Sequence, residues 1–160
     1  MRNMRLLPAA LMAAVLFGCT AVDCPLNNIV HTQFVVEGGV TDDDTLSVLA
    51  VRADGSDTIL YNLGVNTTSM SLPISYQQDE DMLVFQLTDT TTKVTVSDTL
   101  RIQKENTPHF ESADCAPTFF HKLTAVSTTH HLIDSVVINE QEVDYDATKK
   151  HIYVYYHPRN

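Results

Sequence analysis

Met82-Leu83-Val84-Phe85-Gln86-Leu87 is the stretch that decides the fold. Successive side chains of an extended chain point to opposite faces, so Leu83, Phe85 and Leu87 share one side and Val84 and Gln86 the other. A period of two with one apolar face predicts a strand buried on one side.

The pattern repeats upstream. Residues 69–74 set Met70, Leu72 and Ile74 against Ser69, Ser71 and Pro73. Pro73 cannot donate to a ladder, so it marks an edge or a strand end. Residues 45–53 and 58–62 read as two strands joined by the hairpin turn Asp54-Gly55, with Leu46, Val48 and Ala50 on one face. Residues 29–37 give a first strand with Thr32, Phe34 and Val36 on one face, broken by Gly38-Gly39. Downstream the signal loosens. Polar turns cover residues 77–81 and 89–92. Residues 93–104 form one bent strand or two short ones, with Val94, Val96, Leu100 and Ile102 as apolar members. Residues 106–117 read as a loop, 139–148 as an acidic connection, and 119–128, 132–138 and 151–157 as strands. No stretch after residue 19 sustains helical periodicity. The expected fold is all-β: a two-sheet β-sandwich, immunoglobulin-like or transthyretin-like, of about 7–9 short antiparallel strands. The chain has no Trp, so the buried Trp of antibody domains is not indicated.

Ahead of this body stands a leader. Arg2 and Arg5 precede an apolar run over residues 6–17, interrupted only by Pro8. A bilayer-spanning helix needs about 20 residues, so the run is too short to span. A charged start, a short apolar middle and the small residue Gly18 are the three parts of a signal peptide. Leu16-Phe17-Gly18-Cys19 resembles the bacterial lipobox, which implies cleavage before Cys19 and acylation of that cysteine. The expected division is residues 1–18 as a lipoprotein signal peptide, 19–28 as a lipidated tether and 29–160 as one sandwich domain.

Charge and cysteines narrow the surroundings. Removing Arg2 and Arg5 takes the formal net charge from −10 to −12. So acidic a surface repels phosphate backbones, and no nucleic-acid partner is expected. With Cys19 acylated, Cys24 and Cys115 remain, and an even pair in an exported chain reads as a disulfide. A loop this long contributes on the order of 4–5 kcal/mol in the chain-entropy account.

Motifs for chemistry are sparse. Of the seven histidines, His121, His130 and His131 are the weak candidates for a metal. His130 and His131 are adjacent, so on a strand they point apart and cannot share an ion unless they sit in a turn. Asp42-Asp43-Asp44 and Asp79-Glu80-Asp81 lack the calcium-loop spacing and read as solvated turns. No nucleophile elbow, zinc-protease helix or phosphate-cradling loop occurs, so catalysis is not expected and no cofactor is implied. Phe119, Tyr153 and Tyr155 are candidate ligand or partner contacts, with core filling as the plainer role.

At Pro108-His109-Phe110-Glu111-Ser112, at Asp114-Cys115 and over Thr129-His130-His131-Leu132-Ile133-Asp134-Ser135 and onward to Asn139, the chain resembles the small uncharacterised lipoproteins of Bacteroidota that share a domain of unknown function. The resemblance implies an envelope lipoprotein with a β-rich body and no transferable catalytic residues. The single Asp23 after Cys19, in place of an acidic cluster, implies a periplasm-facing outer-membrane lipoprotein. The resemblance also implies O-glycosylation at Asp-Ser/Thr steps such as Asp98-Thr99-Leu100 and Asp134-Ser135-Val136, although such steps also begin strands.

The expected function is therefore that of a lipid-anchored cell-envelope protein without catalysis. It would act as an accessory or interaction module for another envelope protein, such as one in the outer membrane. The rival is a lipoprotein that binds a glycan or a metal. Three converging imidazoles, or Tyr155 and Phe119 lining an open groove, would favour the rival.

Overall fold

The computed structural model describes residues 24, 29–38, 40–52 and 54–158. The described residues form ten strands: β1 (His31–Glu37), β2 (Asp44–Val51), β3 (Thr58–Gly64), β4 (Ser69–Pro73), β5 (Glu80–Asp89), β6 (Thr95–His109), β7 (Thr118–Thr128), β8 (Ile133–Ile138), β9 (Glu142–Val143) and β10 (Ile152–Tyr156). They build a four-stranded sheet in the order β4-β1-β10-β8 and a six-stranded sheet in the order β3-β2-β5-β6-β7-β9.

The two sheets meet through the alternating residues of the sequence. Leu83, Phe85 and Leu87 of β5 are buried, as are Phe34 and Val36 of β1 and Leu46 and Val48 of β2. Phe34 and Phe85 pack across the interior with ring centroids 6.2 Å apart. Burying side chains of this size contributes roughly 1.5–3 kcal/mol each, which is the main force closing the sandwich.

Three features depart from the expected pattern. First, β1 and β10 pair in parallel, with Phe34 opposite Ile152 and Val36 opposite Val154. The other strand pairs are antiparallel. A hairpin forces antiparallel pairing, whereas β1 and β10 are joined by the rest of the chain, so nothing local fixes their direction. Second, β6 runs on through residues 106–109, which read as a loop. These residues pair with the start of β7, Asn106 opposite His121 and Pro108 opposite Phe119. Pro108 is tolerated because β5 pairs only with residues 95–103, leaving that flank of β6 open. Third, the acidic connection contains the short β9, whose Val143 lies opposite His121 and is buried.

Candidate ligand-binding cavity

β6 carries the site. Its alternation turns Asp98, Leu100, Ile102 and Lys104 toward the core, and all four are buried. Two of the four carry charge, so each needs partners supplied by its surroundings.

Lys104 finds them at one end of the sandwich. Its Nζ lies 2.7 Å from Asp81 Oδ2 at the start of β5 and donates to the Gln78 carbonyl at 2.7 Å. Asp81 also accepts the Ser75 N–H at 3.2–3.3 Å. Two residues along β6, Asn106 Nδ2 donates to the Gln78 carbonyl at 2.9 Å and to Asp79 Oδ1 at 3.1 Å. These bonds tie the loop of residues 75–79 down onto β6.

Asn106 in turn fixes His121. Both partners of the Asn106 amide nitrogen are obligate acceptors, so the orientation of the amide is set and Oδ1 must face the ring. His121 Nδ1 therefore carries the proton and donates to Asn106 Oδ1 at 2.7 Å. Burial first, and then the nearby Lys104 ammonium, lower the His121 pKa to about 4. The ring is neutral at physiological pH, and Nε2 is left as a lone-pair acceptor.

His121 lines a cavity of about 570 Å³ at this end of the sandwich, within the range of roughly 300–1,000 Å³ usual for small-molecule sites. Its wall combines Ile29 and Val30 ahead of β1, Arg52 and Asp54 after β2, Ser75 to Gln78 after β4, Asp81 and Met82 of β5, and Phe119 of β7. Tyr76 is 51% exposed and stacks on Phe119 with ring centroids 4.7 Å apart and planes 12° from parallel. Apolar walls, one aromatic step and a few fixed polar atoms make the usual composition of a binding site.

The other charge of β6 is handled differently. Asp98 accepts from the Thr129 hydroxyl, from the N–H groups of His131 (3.0 Å), Leu132 (2.7 Å) and Ile133 (2.8 Å), and contacts His131 Nδ1 at 2.9 Å. Burial works to raise its pKa, but the Thr129 hydroxyl and the three N–H groups outweigh it and hold the carboxyl well below the usual carboxylate range. Asp98 is thus the clasp of the β7–β8 turn, and Thr99 beside it donates its N–H to Thr129 Oγ1 at 2.9 Å.

The residues singled out in the sequence fall in four places. Cys24 and Cys115 form a disulfide, with Cα atoms 5.5 Å apart, and Cys115 leads directly into β7 and the cavity. Cys19 and residues 1–18 lie outside the described residues. Phe119 and His121 come together at the cavity. His130 and His131 do sit in a turn, but His130 Nδ1 contacts the Ile133 carbonyl at 3.1 Å and His131 serves Asp98. Tyr153 and Tyr155 stack on each other with centroids 6.3 Å apart, and neither lines the cavity. Among the described residues no group of three His, Cys, Asp or Glu side chains is arranged to hold a metal ion. Asp79, Glu80 and Asp81 are engaged by Asn106, Arg101 and Lys104 in turn. Sequence reasoning missed Lys104, Asn106 and Tyr76. The signal for Lys104 was its place in phase with Leu100 and Ile102.

No curated protein and no solved structure matches the chain. The model of a family of unknown function, DUF6452, matches residues 45–156, which span β3 to β10, all but the first residue of β2 and most of the cavity wall, and the chain belongs to that family.

Proposed function

We propose that the chain is a lipid-anchored protein of the cell envelope, facing the periplasm, that works by binding a ligand and not by catalysis. The observation that carries the binding reading is His121: a buried side chain among the residues that line an open cavity, with Nδ1 committed to Asn106 and, among the described residues, no partner on Nε2. The leader and Cys19 support the anchor. The disulfide supports a short leash, because it fastens Cys24 to the segment that enters β7. The cavity end is then the end nearest the membrane.

Two measurements test this. Intact-mass spectrometry of the protein purified from its own cells should show cleavage before Cys19 and added acyl mass; an unprocessed chain overturns the anchor. Native mass spectrometry of the same sample should show a bound small molecule that is lost in Tyr76→Ala. A wild-type chain that carries no ligand and takes none up removes the binding reading.

A second reading, an accessory module for an outer-membrane protein, is favoured by one separate observation. β3 is an end strand of the six-stranded sheet, and Ile59 and Leu63 on it, with Val65 just beyond, are 58%, 59% and 54% exposed. An end strand with apolar side chains is suited to pairing with a partner's strand. Photocrosslinking from position 59 in cells should recover an envelope protein, and recovery of none sinks this reading.

A further inference from the structure

We infer that the cavity takes a neutral saccharide, with sugar hydroxyls donating to His121 Nε2 and the Asp81 carboxylate and a sugar C–H face lying on Tyr76. The inference rests on the binding reading and names the ligand class.

The wall selects against the other classes in turn. Arg52, the cation on the wall, is near enough to the Asp54 carboxylate to be offset by it, so an anion meets no uncompensated positive charge. A cation gains little, because Arg52 stands beside Asp54 and the Asp81 charge is offset by Lys104. An acyl chain would fit the apolar part of the wall, but it would seal His121 Nε2 away from water without a partner, at a cost of about 1–3 kcal/mol. A ligand that satisfies the site must bring O–H or N–H donors to its polar floor and an apolar face to its aromatic step. Sugar rings have both, since equatorial hydroxyls ring the edge and axial C–H groups form the face.

The polar floor is also prepared for donors. The Asn106–His121 bond holds the ring in the tautomer that accepts at Nε2, and the Gln78 carbonyl, holding Lys104 and Asn106 together, locks that arrangement from beneath. The acceptor is in position before any ligand arrives, so fixing it adds no ordering cost to binding. Tyr76 is the exposed member of its stacked pair, so its outer face is open to a ligand while Phe119 backs it.

The test uses the full chain in nanodiscs with ¹⁵N-labelled histidine. Four probe sets are added separately: neutral oligosaccharides of glucose, mannose, galactose and N-acetylglucosamine; glucuronate; decanoate; and spermidine. The expected result is that at least one neutral oligosaccharide binds and shifts the His121 Nε2 resonance. Its affinity should fall about tenfold or more in Tyr76→Ala and in His121→Gln and stay unchanged in Tyr153→Ser/Tyr155→Ser. Because Tyr76 lies on the surface, Tyr76→Ala reports on binding even where His121→Gln is poorly folded. If only glucuronate, decanoate or spermidine shifts His121, the saccharide is wrong and the binding cavity stands. If no probe shifts it, both fall. Saccharide binding that survives Tyr76→Ala and His121→Gln also overturns the inference.

Discussion

The two ends of β6 bury opposite charges on one face of one strand, and they are solved differently. Asp98 and Lys104 lie about 20 Å apart along the strand, with Leu100 and Ile102 fully buried between them. At the Asp98 end every lone pair is answered by the turn that wraps it. At the Lys104 end the ammonium and the Asn106 amide are answered, while His121, on the cavity wall, has one ring nitrogen bonded and no partner for the other among the described residues. A buried polar group whose partners are complete holds a fold. One whose partners stop short at a cavity wall marks a place for something else.

The largest effect expected from this contrast is at the complete end. Asp98→Ala leaves the N–H groups of His131, Leu132 and Ile133 without their acceptor and should cost about 3–5 kcal/mol, read from urea unfolding. A loss under about 1 kcal/mol would break the comparison, because the clasp would then hold nothing. Lys104→Met should cost less, about 2–3 kcal/mol, since Asp81 is 12% exposed at its side chain and can regain water from the cavity. The double substitution Lys104→Met/Asp81→Leu should recover most of that loss.

Acid separates the ends further. His121 has a folded pKa of about 4, against an unfolded value of about 6.5. Between those values the unfolded chain holds the extra proton, so stability is full above about pH 6.5 and falls by about 2–3 kcal/mol as pH drops toward 4. The lowered Asp98 pKa acts in a lower window. Its contribution is full above the unfolded carboxylate value of about 4 and is lost as pH falls through the folded value. Unfolding midpoints at pH 7 and 4.5 should therefore differ in the wild type and differ less in His121→Gln, the remainder coming from His151, whose pKa burial also lowers. The smallest effect belongs to Tyr76→Ala, which should change stability by under about 1 kcal/mol, because the ring is half exposed and stacked on one neighbour.

Much of this was legible in the chain. Alternation at Met70-Leu72-Ile74 and Leu83-Phe85-Leu87 gives the strands and their inward faces, and those residues are buried. The Cys24–Cys115 pairing followed from counting. Direction was not legible, since a period of two is the same for parallel and antiparallel neighbours, and so the β1–β10 pairing gave no sign. The site was hidden for a related reason. His121 has meaning only opposite Asn106, and Asn106 stands before Pro108 in a stretch that reads as a loop. Pairing across strands is a property of register, which the local pattern around either residue does not carry.

The parallel pairing also sets the order in which the molecule can be finished. β10 lies between β1 and β8, and the His151 Nδ1 that accepts the Gln33 N–H is 118 residues from its donor. Until residues 152–156 leave the synthesis machinery, the four-stranded sheet has a gap at its centre, and Phe34 and Ile133 have no strand between them. Contacts of such long sequence separation form slowly and late. A chain without β10 is therefore not a smaller version of the fold, because β1 and β8 are then left with no strand to join them.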